Sequence, residues 1–326
     1  KEMFWSLIKK FDILVDNFSP HVMSNWGVSL ESLRRVRPDI IFASISGYGR
    51  QGPLAEYPAN GATTEPMAGF SSIHGYEGDP GLNTGGLIPD PISGYYLTAA
   101  ILVAINHRKH TGIGQRIDAS MMESVAAQLG DAVMEYSATG KIRRPAGNTH
   151  PDVGLQSIFE TVDGKWLALT VDTDESFRSL CQILELETLL DDRKFECPKS
   201  RQNNQKDLRK IFKDAFLDRF KSTQLKKLQS SGITAAICGD FLETYRQPNE
   251  QFVARRFMQT INHREAGEHL LPTMPWILKS TKSSEHSPPP CFGEHSQEVF
   301  RDELGIDDSA YADLVRLGIS GQEIRR

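Results

Sequence analysis

The sequence predicts an α/β fold built on a parallel sheet, with a smaller α+β region after it. Three observations carry this. Over the first 120 residues, segments with helical spacing alternate with short apolar runs, the order that yields parallel strands with helices packed against them. One run, DIIFASIS (39–46), is apolar almost without a break, as expected of a strand covered on both faces. Near residue 145 the texture changes at RRPAGNTHPD, a polar connector containing proline and glycine.

The elements run in order. MFWSLIKK reads as an amphipathic helix, FDILVDNF as a strand entering a turn, and LESLRRVRP as a helix closed by Pro38. After DIIFASIS and a loop, a buried core helix is expected over 91–108. Asp90 is the expected N-cap of that helix and Pro91 its first residue, where the missing N–H has no cost. TGIGQ turns into the strand RIDAS, and MMESVAAQLGDAVMEYSATG reads as one helix. Beyond the connector, LQSIFETVDGKWLALTV predicts a hairpin turning at Asp163-Gly164. Helices are expected at SFRSLCQILEL, LRKIFKDAFLDRF and STQLKKLQSSG, and a short strand at GITAAIC. KSTKSSEHSPPP (279–290) has linker composition, and two short helices are expected after it. The expected organisation is a large domain over 1–150, a small α+β domain over 151–278, and a linker with C-terminal helices (279–326) returning to the large domain.

Composition narrows the function. A chain of 326 residues with a formal net charge of −5 lacks the basic excess of a nucleic-acid surface, and Lys221, Lys226 and Lys227 read as a solvated helix face. The most apolar run, Tyr95 to Ile105, is shorter than the roughly 18 residues that span a bilayer, so no membrane association is expected. The 4 cysteines, Cys181, Cys197, Cys238 and Cys291, form no CxxC pair; free thiols in a reducing, cytoplasmic setting and no metal site are expected. His107 and His110 share a helix face, but two ligands do not make a zinc site, and a basic helix end is the simpler reading.

SGYGRQGP (46–53) spells G-x-G-x-x-G after a strand, the pattern of a dinucleotide loop. Such a loop opens into a helix holding the pyrophosphate, whereas here Pro53 and Pro58 interrupt the residues after it. A nicotinamide dehydrogenase is therefore only a remote alternative. Asp90 is compatible with a second role beyond capping, because a helix N-terminus favours the ionised carboxylate that a nucleophile needs.

Several stretches together resemble the family III CoA-transferases (the CaiB/BaiF family), which include formyl-CoA, carnitine and bile-acid CoA-transferases and the α-methylacyl-CoA racemases. They are DILVDNFSPHVMSNWGVSLESL, RPDIIFASISGYGRQGP, NGATTEPMAGF, IPDPISGYYLTAAILVAI, HRKHTGIGQRIDASMMES, GNTHPD and PPPCFGEHSQEV, in family order along the chain. The resemblance implies a Rossmann-like large domain, an upstream βα segment preceding Lys1 in the family so that the chain reads as truncated, and an interlocked homodimer. It implies Asp90 as the catalytic nucleophile, four residues before Gly94, acting on an acyl-CoA thioester and a carboxylic acid acceptor, with no permanently bound cofactor. By the same resemblance Asn17, Phe18 and Val22 belong to the CoA cradle, Ser46 and Tyr48 to the CoA channel, and Met121 to the thioester end. Gly147 falls where some members carry a mobile glycine loop, although no glycine run stands there, and Asn25 replaces a frequent phosphate-binding arginine. Asn60 stands where the racemases place a histidine acid/base; an amide cannot shuttle a proton at neutral pH, which favours transfer over α-proton exchange. A racemase and a catalytically inactive truncated member remain the alternatives.

Overall fold

The computed structural model describes residues 1–150, 152–245, 250–281 and 287–323, which form two compact units. The first comprises Lys1–Gly147 with Gly293–Arg326, the second Asn148–Phe292.

The first unit is built on a sheet of order β1-β2-β3, formed by β1 (Ile13–Asp16), β2 (Ile41–Ser46) and β3 (Arg116–Ser120). All pairings are parallel, with Ile13 opposite Ile41 and Phe42 opposite Arg116. Around it lie α1 (Glu2–Ile8), α2 (Pro20–Asn25), α3 (Leu30–Val36), α4 (Gly61–Met67), α5 (Pro89–Thr111), α6 (Met121–Ala126) and α7 (Gly130–Thr139). Ile8, Met23, Leu33, Ile40 and Phe42 make its core. Local chemistry sets the helix ends: Ser29 and Ser32 close a capping box at α3, and Gly112 ends α5 in the left-handed conformation at φ 73°.

Two expectations for this unit change. Residues 121–140 are not one helix; a 3₁₀ turn over Ala127–Leu129 separates α6 from α7, which restarts at Gly130, a residue that weakens helix interiors. The helix α5 is not buried all round. Pro89, Ser93, Leu97 and Ala104 form one inward stripe, while Tyr95, Leu102 and Val103 on other faces are exposed.

The second unit carries an antiparallel sheet of order β4-β5-β6, from β4 (Leu155–Glu160), β5 (Trp166–Val171) and β6 (Thr234–Ile237). The β4–β5 hairpin turns at Asp163-Gly164 as predicted, with Gly164 at φ 70°. Its helices are α8 (Asp174–Ile183), α9 (Pro198–Asn203), α10 (Gln205–Arg219), α11 (Leu225–Ser230), α12 (Phe241–Tyr245) and α13 (Glu250–Ala254). Phe212, Phe216 and Phe220 of α10 and its exit pack with Leu155, Phe159 and Leu167 of the sheet. A second hairpin, β7 (Met258–His263) with β8 (Gly267–Pro272), has no counterpart in the sequence reading. Its strands are largely exposed, with Ile261 buried, so no apolar alternation announces them. Residues 282–286 of the linker-like stretch lie outside the described residues. The C-terminal α14 (Ser296–Leu304) and α15 (Asp308–Arg316) belong to the first unit, where Lys10 pairs with Glu303 at 3.3 Å. Among the described residues, no helix is long and apolar enough to cross a membrane.

One polar knot holds the C-terminal edge of the parallel sheet. The Asp16 carboxylate, buried at the end of β1, accepts hydrogen bonds from the Ser44 hydroxyl and the Arg50 guanidinium. It also accepts from the Phe18 N–H at 3.3 Å. Arg50 reaches further: its Nη1 donates to the Pro20 carbonyl at 2.8 Å, and its backbone N–H donates to both Asp118 oxygens at 3.1 Å. The pair thus joins β1, the exit of β2 and β3 to the turn that leads into α2. Replacing Arg50 by alanine leaves a buried carboxylate without its counter-charge, and we expect a loss of about 3–5 kcal/mol in urea unfolding of the first unit. The double substitution with Asp16→Ala should lose less than the sum of the single ones; strict additivity would show that the pair is not coupled.

Candidate active site

In open parallel sheets, ligands bind beyond the carboxyl ends of the strands, where loops diverge. A cavity of about 360 Å³ lies there in the first unit. The β1–α2 turn contributes Asn17, Phe18, Ser19 and Pro20, and the end of β2 contributes Ile45, Ser46 and Gly47. The loop into α4 adds Ala55, Tyr57, Ala59 and Asn60. Asp90, Ser93 and Gly94 come from the start of α5, and Met121 from the start of α6.

The structure therefore brings together Asn17, Phe18, Ser46, Asn60, Asp90 and Met121. It leaves Val22, Tyr48 and Gly147 outside the cavity lining. Val22 and Tyr48 are half-buried, Val22 one turn into α2 and Tyr48 just past the end of β2. Gly147 is fastened elsewhere, its N–H donating to the Gly75 carbonyl at 2.8 Å. At φ 60°, with a β-carbon there meeting the Tyr76 ring at 3.3 Å, that position suits glycine for local packing.

Asp90 is the one charged residue among the described residues that line the cavity. It is not the N-cap. The helix starts one residue earlier, at Pro89, which takes the first helical position, and Ile88 precedes it with no side-chain cap. Freed from capping, the Asp90 side chain faces outward. Its Oδ2 lies so close to Gly61 that a β-carbon at 61 would sit 2.1 Å away. Asp90 is exposed, and among the described residues no group donates a hydrogen bond to its carboxylate. Its place in the first turn of α5 is where the helix dipole is favourable to a negative charge. Leu87, three residues before it, has φ 48°, a left-handed conformation that is uncommon for a branched side chain and costs about 1–2 kcal/mol.

Donor groups surround this carboxylate's cavity. The Ser46 hydroxyl is buried without a hydrogen-bond partner among the described residues. Such a group is normally paired, so it is available to a ligand. Asn60 accepts from the Thr63 N–H through Oδ1 at 3.1 Å, closing a capping box on α4. That bond leaves its amide N–H groups as donors. Gly47 permits the sheet end and the 59–60 loop to touch: a β-carbon there would sit 2.1 Å from that of Ala59.

Other candidate chemistries lose support. The glycine loop after β2 does not open into a helix, since α4 begins only at Gly61, and the Arg50 N–H within it is already bonded to the Asp118 carboxylate. That is no pyrophosphate cradle. Cys181 lies in the core of the second unit, where burial pushes its thiol up to about 12, so it stays protonated at neutral pH. Tyr57, Ala55 and Ala59 were invisible to sequence reasoning because their loop has no regular period, whereas Gly94 entered as the landmark four residues after Asp90.

In a crystal structure of Gly61→Ala, we expect the Asp90 carboxylate to move by about an ångström or more to relieve that contact, with far-ultraviolet circular dichroism unchanged. A carboxylate that keeps its place beside the new methyl group would refute the close approach.

Comparison with known proteins gives a consistent answer. The model of CoA-transferase family III matches residues 1–296. Succinyl-CoA–D-citramalate CoA-transferase of Chloroflexus aurantiacus is 28% identical over 309 residues, covering 94% of this chain and 76% of that enzyme. Human succinyl-CoA:glutarate CoA-transferase is 28% identical over 312 residues, covering 95% and 70%. The crystal structure of a CaiB/BaiF family protein from Brucella suis superposes with a TM-score of 0.84 at 24% identity, over 93% of this chain and 78% of that one. A match over most of the chain, together with a parallel sheet whose carboxyl edge opens on a cavity holding one carboxylate, leads to one conclusion: the chain belongs to CoA-transferase family III.

Proposed function

We propose that the protein transfers coenzyme A from an acyl-CoA thioester to a carboxylic acid, with Asp90 as the covalent nucleophile. The observation that carries this reading is the Asp90 carboxylate, turned into the cavity at a helix N-terminus and unpartnered among the described residues. An ionised carboxylate is a competent nucleophile towards a thioester once held against it. Its oxygen attacks the thioester carbonyl, the carbon–sulfur bond breaks, and CoA leaves as thiolate from a mixed anhydride. The thiolate then attacks the aspartyl carbonyl of that anhydride, releasing the donor acid as carboxylate and leaving an aspartyl-CoA thioester. The acceptor carboxylate repeats the sequence in reverse, and Asp90 is regenerated with no net proton change. Each step passes through an oxyanion, and the Ser46 hydroxyl and Asn60 amide are two of the side-chain donors at the cavity that could meet one.

The two relatives act on succinyl-CoA with D-citramalate or glutarate as partner acids, so succinyl-CoA and short dicarboxylic acids are the first substrates to test. Asn17 and Phe18 at one side of the cavity, and Met121 at another, fit a route for the thioester arm. The exposed apolar face of α5, with Tyr95, Leu102 and Val103, supports a homodimer. The α-proton exchange of the racemases is disfavoured because Asn60, engaged in capping α4, offers no titrating group.

With succinyl-CoA and a panel of carboxylic acids, chromatography should show a new acyl-CoA formed by the parent chain. Asp90→Asn should lower kcat by about 10³-fold or more, since the amide is a poor nucleophile. Transfer by Asp90→Asn within tenfold of the parent would remove the nucleophile role. Deuterium entering the α-carbon from heavy water without transfer would instead assign the racemase chemistry.

A further inference from the structure

Glu65 is a buried carboxylate that the proposed chemistry does not use. It lies in α4, 1% exposed, and does not line the cavity. Both of its oxygens are committed. Oε1 accepts the Thr84 N–H at 2.8 Å, and Oε2 accepts the Thr84 hydroxyl at 2.9 Å. Burying a carboxylate costs several kcal/mol unless such bonds compensate. Two of these bonds meet the backbone and the side chain of one residue, Thr84, which fixes its position and its rotation together, and the Ser71 hydroxyl reaches Oε1 at 3.3 Å.

Thr84 opens the segment that ends at Asp90. Beside it, the Asn83 amide donates to the Ala62 carbonyl at 2.9 Å, and the Ser71 hydroxyl donates to Asn83 Oδ1 at 2.7 Å. At the other end of α4, Gly61 abuts the same segment. A β-carbon at 61 would lie 3.1 Å from that of Leu87 and 2.1 Å from Asp90 Oδ2. The segment is therefore held against α4 at both ends, and the residues between have little stiffness of their own. Gly85 takes φ 77° and Gly86 follows it, then Leu87 is left-handed. A stretch of this kind needs an external clamp to keep one geometry.

We propose that Glu65 is a positioning residue: its paired hydrogen bonds to Thr84 hold residues 83–90 against α4 and so keep the Asp90 carboxylate over Gly61 and aimed into the cavity. This rests on Asp90 as nucleophile. Because near-attack geometry enters the chemical step, loosening the clamp lowers kcat and leaves acyl-CoA binding largely unchanged. A merely structural Glu65 would lower thermal stability and leave the turnover of folded molecules alone.

The test compares Glu65→Ala, Glu65→Gln, Thr84→Val and Asp90→Asn in the full chain, with kcat referred to folded protein. Glu65→Ala should lower kcat about 10- to 100-fold with KM for acyl-CoA within about threefold. Thr84→Val keeps the N–H bond and loses the hydroxyl bond; a drop of about three- to tenfold in kcat referred to folded protein is expected. Glu65→Gln can accept the Thr84 N–H through Oε1 and donate to the Thr84 hydroxyl through Nε2, so it should recover most of kcat. Hydrogen exchange supplies a readout independent of activity: the amides of residues 84–88 and 90, Pro89 having none, should exchange faster in Glu65→Ala, with those of β2 unchanged. Parental kcat in Glu65→Ala and Thr84→Val, a glutamine variant no better than alanine, or unaltered exchange at 84–90 would each overturn the clamp. An active Asp90→Asn would overturn the nucleophile reading instead, which separates the two failures.

Discussion

The ion pair between Asp16 and Arg50 is the constraint on which the rest of the first unit depends. A parallel sheet has strong backbone bonding along its strands but nothing that fixes the loops at its carboxyl edge, and those loops carry the chemistry. Arg50 supplies the fastening. Its side chain binds Asp16 at the end of β1 and the Pro20 carbonyl in the turn beyond, while its N–H binds Asp118 on β3. The Ser44 hydroxyl from β2 completes the set on Asp16. Because Asp16 also receives the Phe18 N–H, the same charge pair that secures the sheet shapes the wall of the cavity. A buried pair of this kind is poor evidence for stability when compared with an apolar replacement, but it is strong evidence for a single geometry, since each partner alone is intolerable in the interior.

On this fastened edge, two unpaired groups face the cavity. Most buried polar groups of the unit are satisfied: Asp16, Glu65 and Ser71 all have their partners. The Ser46 hydroxyl does not, and the Asp90 carboxylate has no donor among the described residues. Both face the same cavity. Proteins rarely leave a buried hydroxyl orphaned where a ligand would not supply its bond, which supports the proposed binding of a polar ligand here. Gly47 and Gly61 make room for this by letting two loops and a helix end approach more closely than side chains would permit.

How much of this was legible beforehand depended on periodicity and on shared local motifs. The alternation around DIIFASIS and RIDAS marked the parallel strands, and Asp163-Gly164 marked a hairpin, because their side-chain spacing or turn chemistry is written locally. The β7–β8 hairpin was not, since mostly exposed strands carry no apolar pattern, and the break at Gly130 was hidden inside a sequence with helical spacing throughout. At the site, Asn17, Phe18, Ser46, Asn60, Asp90 and Met121 were named from motifs and do meet around one cavity, while Val22, Tyr48 and Gly147 do not line it. Motif position gives chain neighbourhood; one residue further along a helix or strand end turns a side chain to another face.

Asp90 shows the division most clearly. Its sequence setting, between two prolines and ahead of a long apolar run, determined that a helix would begin there and that a carboxylate would sit in its first turn, because proline geometry and helix-end electrostatics are local properties. Only the tertiary structure decided that Pro89, not Asp90, takes the helix start, and that the freed side chain lies over Gly61 in a cavity made by loops from elsewhere in the chain. It likewise decided that the apolar helix behind it buries only a stripe, and that Glu65, a carboxylate close to Asn60 in sequence, bonds Thr84 and stays out of the cavity. The physical reason is that capping and helix propensity act within a few residues, whereas the direction of a side chain and the pairing of a buried charge depend on groups brought close by folding.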